Sequence, residues 1–581
     1  MKMSPQASRS LILPARPSSR RAVRLLAQLT CAVSSLVPAI ALAQAAPRPA
    51  APPVAAPAAP PAAPVAQPPM AAPVAPPEAA PVASPEAAPV ASPEAAPVAP
   101  PEAAPVASAP PAAPAPVTPA AAGVFEWTSL RLLRDKGVIS ADEYDSAMKD
   151  LGGAIGAGDT TFVVSKLKAT LYGFVQADFS YDSTGSCQEF CSNFPIQKSG
   201  TYRGDHSRMI FSPRDSRFGI RLAAPAEHGI RVSGTLETDF FGPTSASEQS
   251  TWVNPVLRVR HAMIKMETPV VDILLGQTWT PFAWAAGYLV TSVQEPGLPG
   301  QVFERTTQLR LSRTFKSDAV NFEVAVAALR PPQMDSGTPE GVAAARVVFP
   351  KIVGHHTSYM TSSALQPASL GISADVRRFV IPEFSTAPKS SHSKIGGGFA
   401  INGYLPIVRA TKESKANALS LMGEFVMGSG TSDMYTALGA AGTSNAPIPP
   451  AVPGGTPGTY VPNFDAGFAA YDAAGNLELI KWTSYMVGVE FYPDIIDGRL
   501  GTFANYGHMQ SSNSDKFGGA AVNDPVAGRT RESEDFYNAG LFFDPTKATR
   551  VGADVALYDD HYVDGTDAQN VSVMASAYLF F

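Results

Sequence analysis

Cysteine is scarce in this chain: 581 residues contain three, Cys31, Cys187 and Cys191. That excludes a disulfide-dense fold and a cysteine-rich zinc module. Charge is sparse as well, at 16% of residues, and 44 basic against 50 acidic side chains leave −6. The chain therefore lacks the basic footprint of non-specific nucleic-acid binding. Beyond the N-terminus no run of 18 or more apolar residues occurs, so no helix is expected to span a membrane in the mature chain. Proline is plentiful but badly placed for a core: 26 of the 56 fall between Pro47 and Pro119.

The N-terminus carries Lys2, Arg9, Arg16, Arg20, Arg21 and Arg24 ahead of an apolar stretch from Leu25 to Leu42, closed by Ala41-Leu42-Ala43. A positive start, an apolar middle and a small-residue end predict a secretory signal peptide over 1–43, with Pro38 arguing against an uncleaved anchor helix. Cleavage would leave 38 basic and 50 acidic residues, an acidic mature chain.

Residues 44–124 are mostly Ala, Pro and Val, and the octapeptide Pro-Glu-Ala-Ala-Pro-Val-Ala-Ser repeats from Pro77 to Ser108, with Pro100 in place of one Ser. Fixed proline φ favours extended polyproline II, which over this tract would reach roughly 200 Å. The expectation is a disordered periplasmic linker, the sharper alternative being a tether that contacts peptidoglycan. Residues 125–152 change character: Gly137 ends one helical pattern, and Ser140-Ala141-Asp142-Glu143 is a capping box for a second. This predicts a short helical hairpin, too small to be stable alone.

From residue 166 to the end, period-2 alternation dominates, in segments of about ten residues. In Leu167–Tyr181, Leu171, Val175 and Phe179 share one face, with Tyr172, Phe174, Gln176 and Asp178 on the other. In the last segment Val571, Val573, Ala575, Ala577, Leu579 and Phe581 alternate with Asn570, Ser572, Met574, Ser576 and Tyr578. Comparable segments begin near Met209, Ile230, Val256, Val271, Arg305, Asn321, Val342, Leu370, Ile395, Ala418, Leu479, Arg499, Phe536 and Thr549. The total is sixteen, and Lys351–Pro367 leaves room for a further pair. The fold class predicted is all-β, a 16-stranded antiparallel transmembrane barrel. Short links such as Thr268–Val270 and Lys316–Val320 alternate with long ones, Asp182–Arg208, Pro281–Phe303, Met427–Asn476 and Ser511–Asp535. Outer-membrane barrels sort short turns to the periplasm and long loops outside in this way.

Leu171-Tyr172-Gly173-Phe174-Val175-Gln176-Ala177-Asp178 resembles the first strand of Gram-negative porins. Ser216-Arg217-Phe218-Gly219, Leu236-Glu237-Thr238-Asp239-Phe240, Arg258-Val259-Arg260-His261-Ala262 and Leu275-Gly276-Gln277-Thr278-Trp279-Thr280-Pro281-Phe282 are similar to segments of the DcaP-like family of outer-membrane porins. Phe581 matches the terminal residue by which such barrels are recognised for insertion. The resemblance implies a homotrimer among outer-membrane lipid and lipopolysaccharide, with a third outer loop folded into the pore. It also implies passive uptake of small, mostly anionic solutes such as dicarboxylates. Two features depart from the family pattern: the Ala/Pro tract, and the Gly-, Ala-, Pro- and Thr-rich insertion Met427–Asn476, placed to cover part of the mouth.

A pore selects by the charge of its narrowest ring. Arg217, Arg221, Arg231, Arg258, Arg260, Arg310 and Arg377 fall on inward faces and are read as an anion-preferring lining, since guanidinium pairs carboxylate bidentately. Glu237, Asp239, Asp375, Glu424, Glu490 and Asp554 also face inward, and the competing reading is a field of paired charges that merely holds the wall. Trp284, Tyr288 and Glu295 in the third long loop are the candidates to reach the constriction.

Cys187 and Cys191 are expected to form a loop disulfide in an oxidising compartment. No metal, cofactor, nucleic-acid or catalytic motif stands out: His355-His356 reads as a polar turn, Ser391–Lys394 lacks a helix, and Gly396-Gly397-Gly398 opens a strand. Enzymatic activity is therefore not expected; a barrel phospholipase would need Ser and His together on the lipid face. The leading reading is a diffusion porin, the alternative an envelope-anchoring barrel held by its tether.

Overall fold

A strand in lipid must give every backbone N–H and C=O to a neighbouring strand, so a sheet crosses a membrane only by closing on itself. The computed structural model describes residues 161–164, 167–187, 191, 194–242, 253–284, 290–292, 298–357, 365–382, 389–412, 414–438, 467–471, 476–516 and 530–581. The predicted signal peptide, linker and helical hairpin lie outside them.

Sixteen antiparallel strands close into a barrel. They are β1 (Leu167–Asp182), β2 (Arg208–Ser212 and Arg217–Ala223), β3 (Arg231–Asp239), β4 (Arg258–Glu267), β5 (Asp272–Trp279), β6 (Arg305–Phe315), β7 (Asn321–Leu329) and β8 (Glu340–His355). The second half is β9 (Leu365–Pro382), β10 (Ser391–Val408), β11 (Leu419–Ser429), β12 (Lys481–Phe491), β13 (Leu500–Ser511), β14 (Arg531–Thr546), β15 (Thr549–Tyr562) and β16 (Asp567–Phe580). Each pairs with the next, and β1 pairs with β16 from Phe174↔Phe580 to Asp182↔Ser572. Reciprocal 3.1 Å backbone hydrogen bonds between Gly173 and Phe581 finish the seam. A further short strand, Thr161–Val164, folds back on the start of β1 and is additional to the sixteen.

Side-chain alternation follows from the pleat. On β1, Leu171 and Val175 are exposed outward while Tyr172, Phe174, Gln176 and Asp178 are buried; Ala169, opposite Phe162, is the buried exception to its outward set. Leu275, Leu309, Leu311, Leu370, Ile372 and Leu421 extend the outward apolar surface around the barrel. The uncertain stretch 351–367 resolves into the end of β8 and the start of β9. A bulge between Phe349 and Val353 breaks its alternation, and its described residues add no strand pair to the sixteen.

One rim carries the connections 183–207, 240–257, 280–304, 430–480 and 512–530, and the other carries 224–230, 268–271, 316–320 and 547–548. The sorting is incomplete, because 383–390 and 563–566 on the long-loop rim are also short. Arginine on the outward face of a barrel costs about 2–4 kcal/mol at mid-membrane depth. Leu309→Arg is accordingly expected to lower folding stability by about that much in urea titrations in lipid vesicles, whereas Ser312→Arg, on the inner face of the same strand, leaves it nearly unchanged.

Candidate pore and its charged walls

The third long loop, 280–304, does not stand out in solvent but runs along the inner wall. The Ala283 amide donates to Ser373 Oγ on β9 at 2.8 Å. At Val290 the loop has reached β13, whose Asn505 Nδ2 donates to the Val290 carbonyl at 2.6 Å. At Ser292 it has reached the seam: its amide donates to Asp554 Oδ2 at 2.7 Å, and its carbonyl accepts from Ser576 and from the Tyr578 hydroxyl. It returns past β12 and β13, where Gly300 takes a φ of +83° against Tyr485 and His508. The Val302 amide then donates to Glu424 Oε1 on β11 at 2.8 Å. Gly507 makes the return possible, because a Cβ there would overlap the carbonyl oxygen of Pro299.

The wall this loop leaves uncovered is basic. On β4 a bulge opposite Glu237 and Thr238 inserts one residue at Arg260. Strict alternation from Arg258 would send His261 into lipid and Ala262 inward. The bulge resets the pattern, so Arg258, Arg260 and His261 all face the lumen and Ala262 faces out, the re-aiming that bulges allow. Arg258 grips Asp239 bidentately, at 2.9 and 2.6 Å. Arg260 bridges Glu237 at 2.9 Å and Asp239 at 2.8 Å. Arg217 approaches Glu237 at 3.6 Å, and the Tyr172 hydroxyl donates to Glu237 Oε2 at 3.0 Å. Three arginines thus share two carboxylates. Toward the short-turn rim, Arg221 lies 3.9 Å from the centre of the Tyr172 ring and Arg231 pairs with Glu267 at 3.1 Å.

Arg310 donates to the Trp279 carbonyl at 3.4 Å and has no carboxylate partner among the described residues. Arg305 likewise has none there; its guanidinium sits 4.9 Å from the centre of the Trp279 ring. Reading the sequence marked Arg305 only as a strand start; by alternation it shares the face of Leu309 and Leu311, beside Trp279 near the long-loop rim. Arg346 was missed too: it pairs with Glu323 at 2.6 Å and lies 4.6 Å from the Trp284 ring. Trp284 therefore packs on a wall arginine, while Tyr288 and Glu295 lie outside the described residues.

Arg377 is not where an exposed filter residue would be. It is 1% exposed on β9 and paired with Glu340 at 2.8 Å, Asp375 at 3.2 Å and Asp433 at 2.7 Å. Its period-2 position is inward, as the alternation suggested, but the loops packed above close it off from water. Cys187 and Cys191 form a disulfide with Cα atoms 4.6 Å apart, packed against Leu298 of the third loop. Among the described residues Asp182, Cys187 and Cys191 are the group close enough to hold a metal, and the disulfide already uses both sulfurs.

No family model matches the chain, and comparison with curated proteins finds no match. Among solved structures, the outer membrane channel DcaP of Acinetobacter baumannii is similar at 17% identity and a TM-score of 0.47, covering 72% of this chain and 99% of that one. OprB of Pseudomonas putida is similar at 9% identity and a TM-score of 0.42, covering 75% and 96%. OmpF of Salmonella typhi gives 10% and 0.42, covering 72% and 100%. These are likenesses of barrel fold alone.

Gly507→Ala is expected to push the third loop off β12 and β13, so that limited proteolysis of the folded protein cuts within 280–304 faster than in the wild type. Gly423→Ala, whose added carbon meets only Met486 O at an ordinary 3.4 Å, leaves the cleavage rate unchanged.

Proposed function

We propose that the protein is an outer-membrane diffusion channel for small hydrophilic solutes, with a preference for anions. One observation carries the preference: the charges on the two sides of the third loop are not equally available. Asp375, Glu424, Glu490 and Asp554 are each 7% exposed or less, and Glu424 and Asp554 are occupied by loop amides. On the β2–β6 wall the side chains of Arg258 and Arg231 are 33% and 68% exposed, while Arg217 and Arg260 are buried beside Glu237 and Asp239. A solute passing on that side meets a basic surface, and arginine rings favour anions. Planar carboxylates, dicarboxylates among them, suit paired guanidinium groups. The setting proposed is the outer membrane of a Gram-negative cell, with the long loops outside, the N-terminal linker in the periplasm and a homotrimer as the assembly.

The test is reversal potential and conductance in a planar bilayer under a potassium chloride gradient, for the wild type and for Arg310→Gln. Arg310 has no carboxylate partner among the described residues, so the variant keeps the paired network intact. A chloride-biased potential that weakens in the variant is expected. Cation bias in the wild type would reject the arginine argument, and no conductance from folded, heat-modifiable protein would shift the reading to an envelope anchor.

A further inference from the structure

The long insertion between β11 and β12 does not simply lie over the mouth. Its described pieces, 430–438, 467–471 and 476–480, fold into the barrel on top of the third loop. Gly430 turns the chain inward at a φ of +69°, and its amide donates to the Ile480 carbonyl at 2.8 Å. Ala469–Tyr471 pairs with Leu477–Leu479 as a small ribbon, and Ser432 Oγ ties the first piece to the Gly467 carbonyl. Val302 of the third loop forms an antiparallel bridge with Tyr435, and the Phe303 amide donates to the Met434 carbonyl at 3.1 Å.

Two wall arginines fix this piece from opposite sides: Arg377 on β9 holds Asp433, and Arg531 on β14 donates to the Ala437 carbonyl at 2.9 Å. Met434, Tyr435, Ala437, Leu438, Ala470 and Ile480 share one apolar core with Phe282 and Val302 of the third loop. The shared core and the buried Asp433–Arg377 pair together make this a fixed structure.

We propose that 430–438, 467–471 and 476–480 form a second constriction, a rigid shelf that sets the size limit of the channel. The proposal rests on the diffusion-channel reading. Among the described residues of the shelf the charged side chains are Asp433, paired with Arg377, and Glu478, facing Lys516 at 3.4 Å. The rest of the described shelf is apolar or uncharged, and it excludes by dimension. Asp433 acts as a positioning residue, because it tethers the shelf to β9 without lining the basic wall.

The experiment compares wild type, Asp433→Ala, and a variant with 432–479 replaced by a short Gly/Ser turn, all full length and folded by heat modifiability. Asp433→Ala leaves Arg377 with Glu340 and Asp375, so the wall keeps its ion pairs. Single-channel conductance and exclusion of graded polyethylene glycols report size, and reversal potential reports charge preference. Replacement is expected to raise conductance by about twofold or more and to admit larger polymers. Because it also removes the carboxylates Asp433, Asp465, Asp472 and Glu478, exclusion of the uncharged polymers is the deciding readout. Asp433→Ala shifts both size readouts the same way by less. Unchanged exclusion and conductance in the folded replacement would overturn the shelf while leaving the channel. A replacement that conducts where the wild type does not would support the shelf as a plug. If neither conducts, the channel reading falls and the shelf with it.

Discussion

Closure of the backbone hydrogen-bond ladder is the constraint on which everything else here depends. An open sheet edge in lipid would leave a row of N–H and C=O groups unpaired, each costing several kcal/mol. The chain avoids this at the β1–β16 seam, where Gly173 and Phe581 exchange hydrogen bonds and the strands stay in register to Asp182 and Ser572. Once the ladder is closed, period 2 is obligatory, and every strand must serve lipid with one set of side chains and the lumen with the other. The apolar outer surface and the crowded polar interior are two results of the same closure.

The interior then has its own accounting. Loops folded into a barrel bring backbone amides and carbonyls with them, and buried ones need partners as strictly as those in the wall. Here the wall supplies them. Glu424 accepts from Val302, Asp554 from Ser292, and Glu490 from Thr357, while Asn505, Tyr578 and Arg531 donate to loop carbonyls. Much of the polar character of β9 to β16 is explained by loop anchoring. On the basic wall from β2 to β6 the arginines are held, among the described residues, mainly by Glu237 and Asp239.

That division marks what could be read from sequence. Alternation located the strands closely, with Arg305, Asn321 and Thr549 as observed starts and most others displaced by only a few residues, because closure forces a local pattern. Inward faces were legible for the same reason, Arg377 included. What alternation cannot say is whether an inward residue meets water or another segment, since that depends on contacts across the chain such as Asp433 with Arg377. The bulge at Arg260 was invisible for a related cause: Arg-Val-Arg fits plain alternation, and only His261 and Ala262 after it reveal the reset. The path of the third loop was implied by family resemblance, but Gly507, which admits it, lies far along the chain.

The two walls therefore cannot be treated as one titratable ring. Counting inward charges over all strands mixes carboxylates already satisfied by amides with arginines that still face space, and gives nearly a balanced lumen. A carboxylate that accepts a loop amide in a buried site has its charge spread into that hydrogen bond and is shielded from a passing ion by the loop itself. Arg217 and Arg260 share Glu237, so that one carboxylate serves two guanidinium groups on this side. On the proposed reading the charge preference belongs to the β2–β6 side, and net charge, acidic for the whole chain, says nothing about its sign.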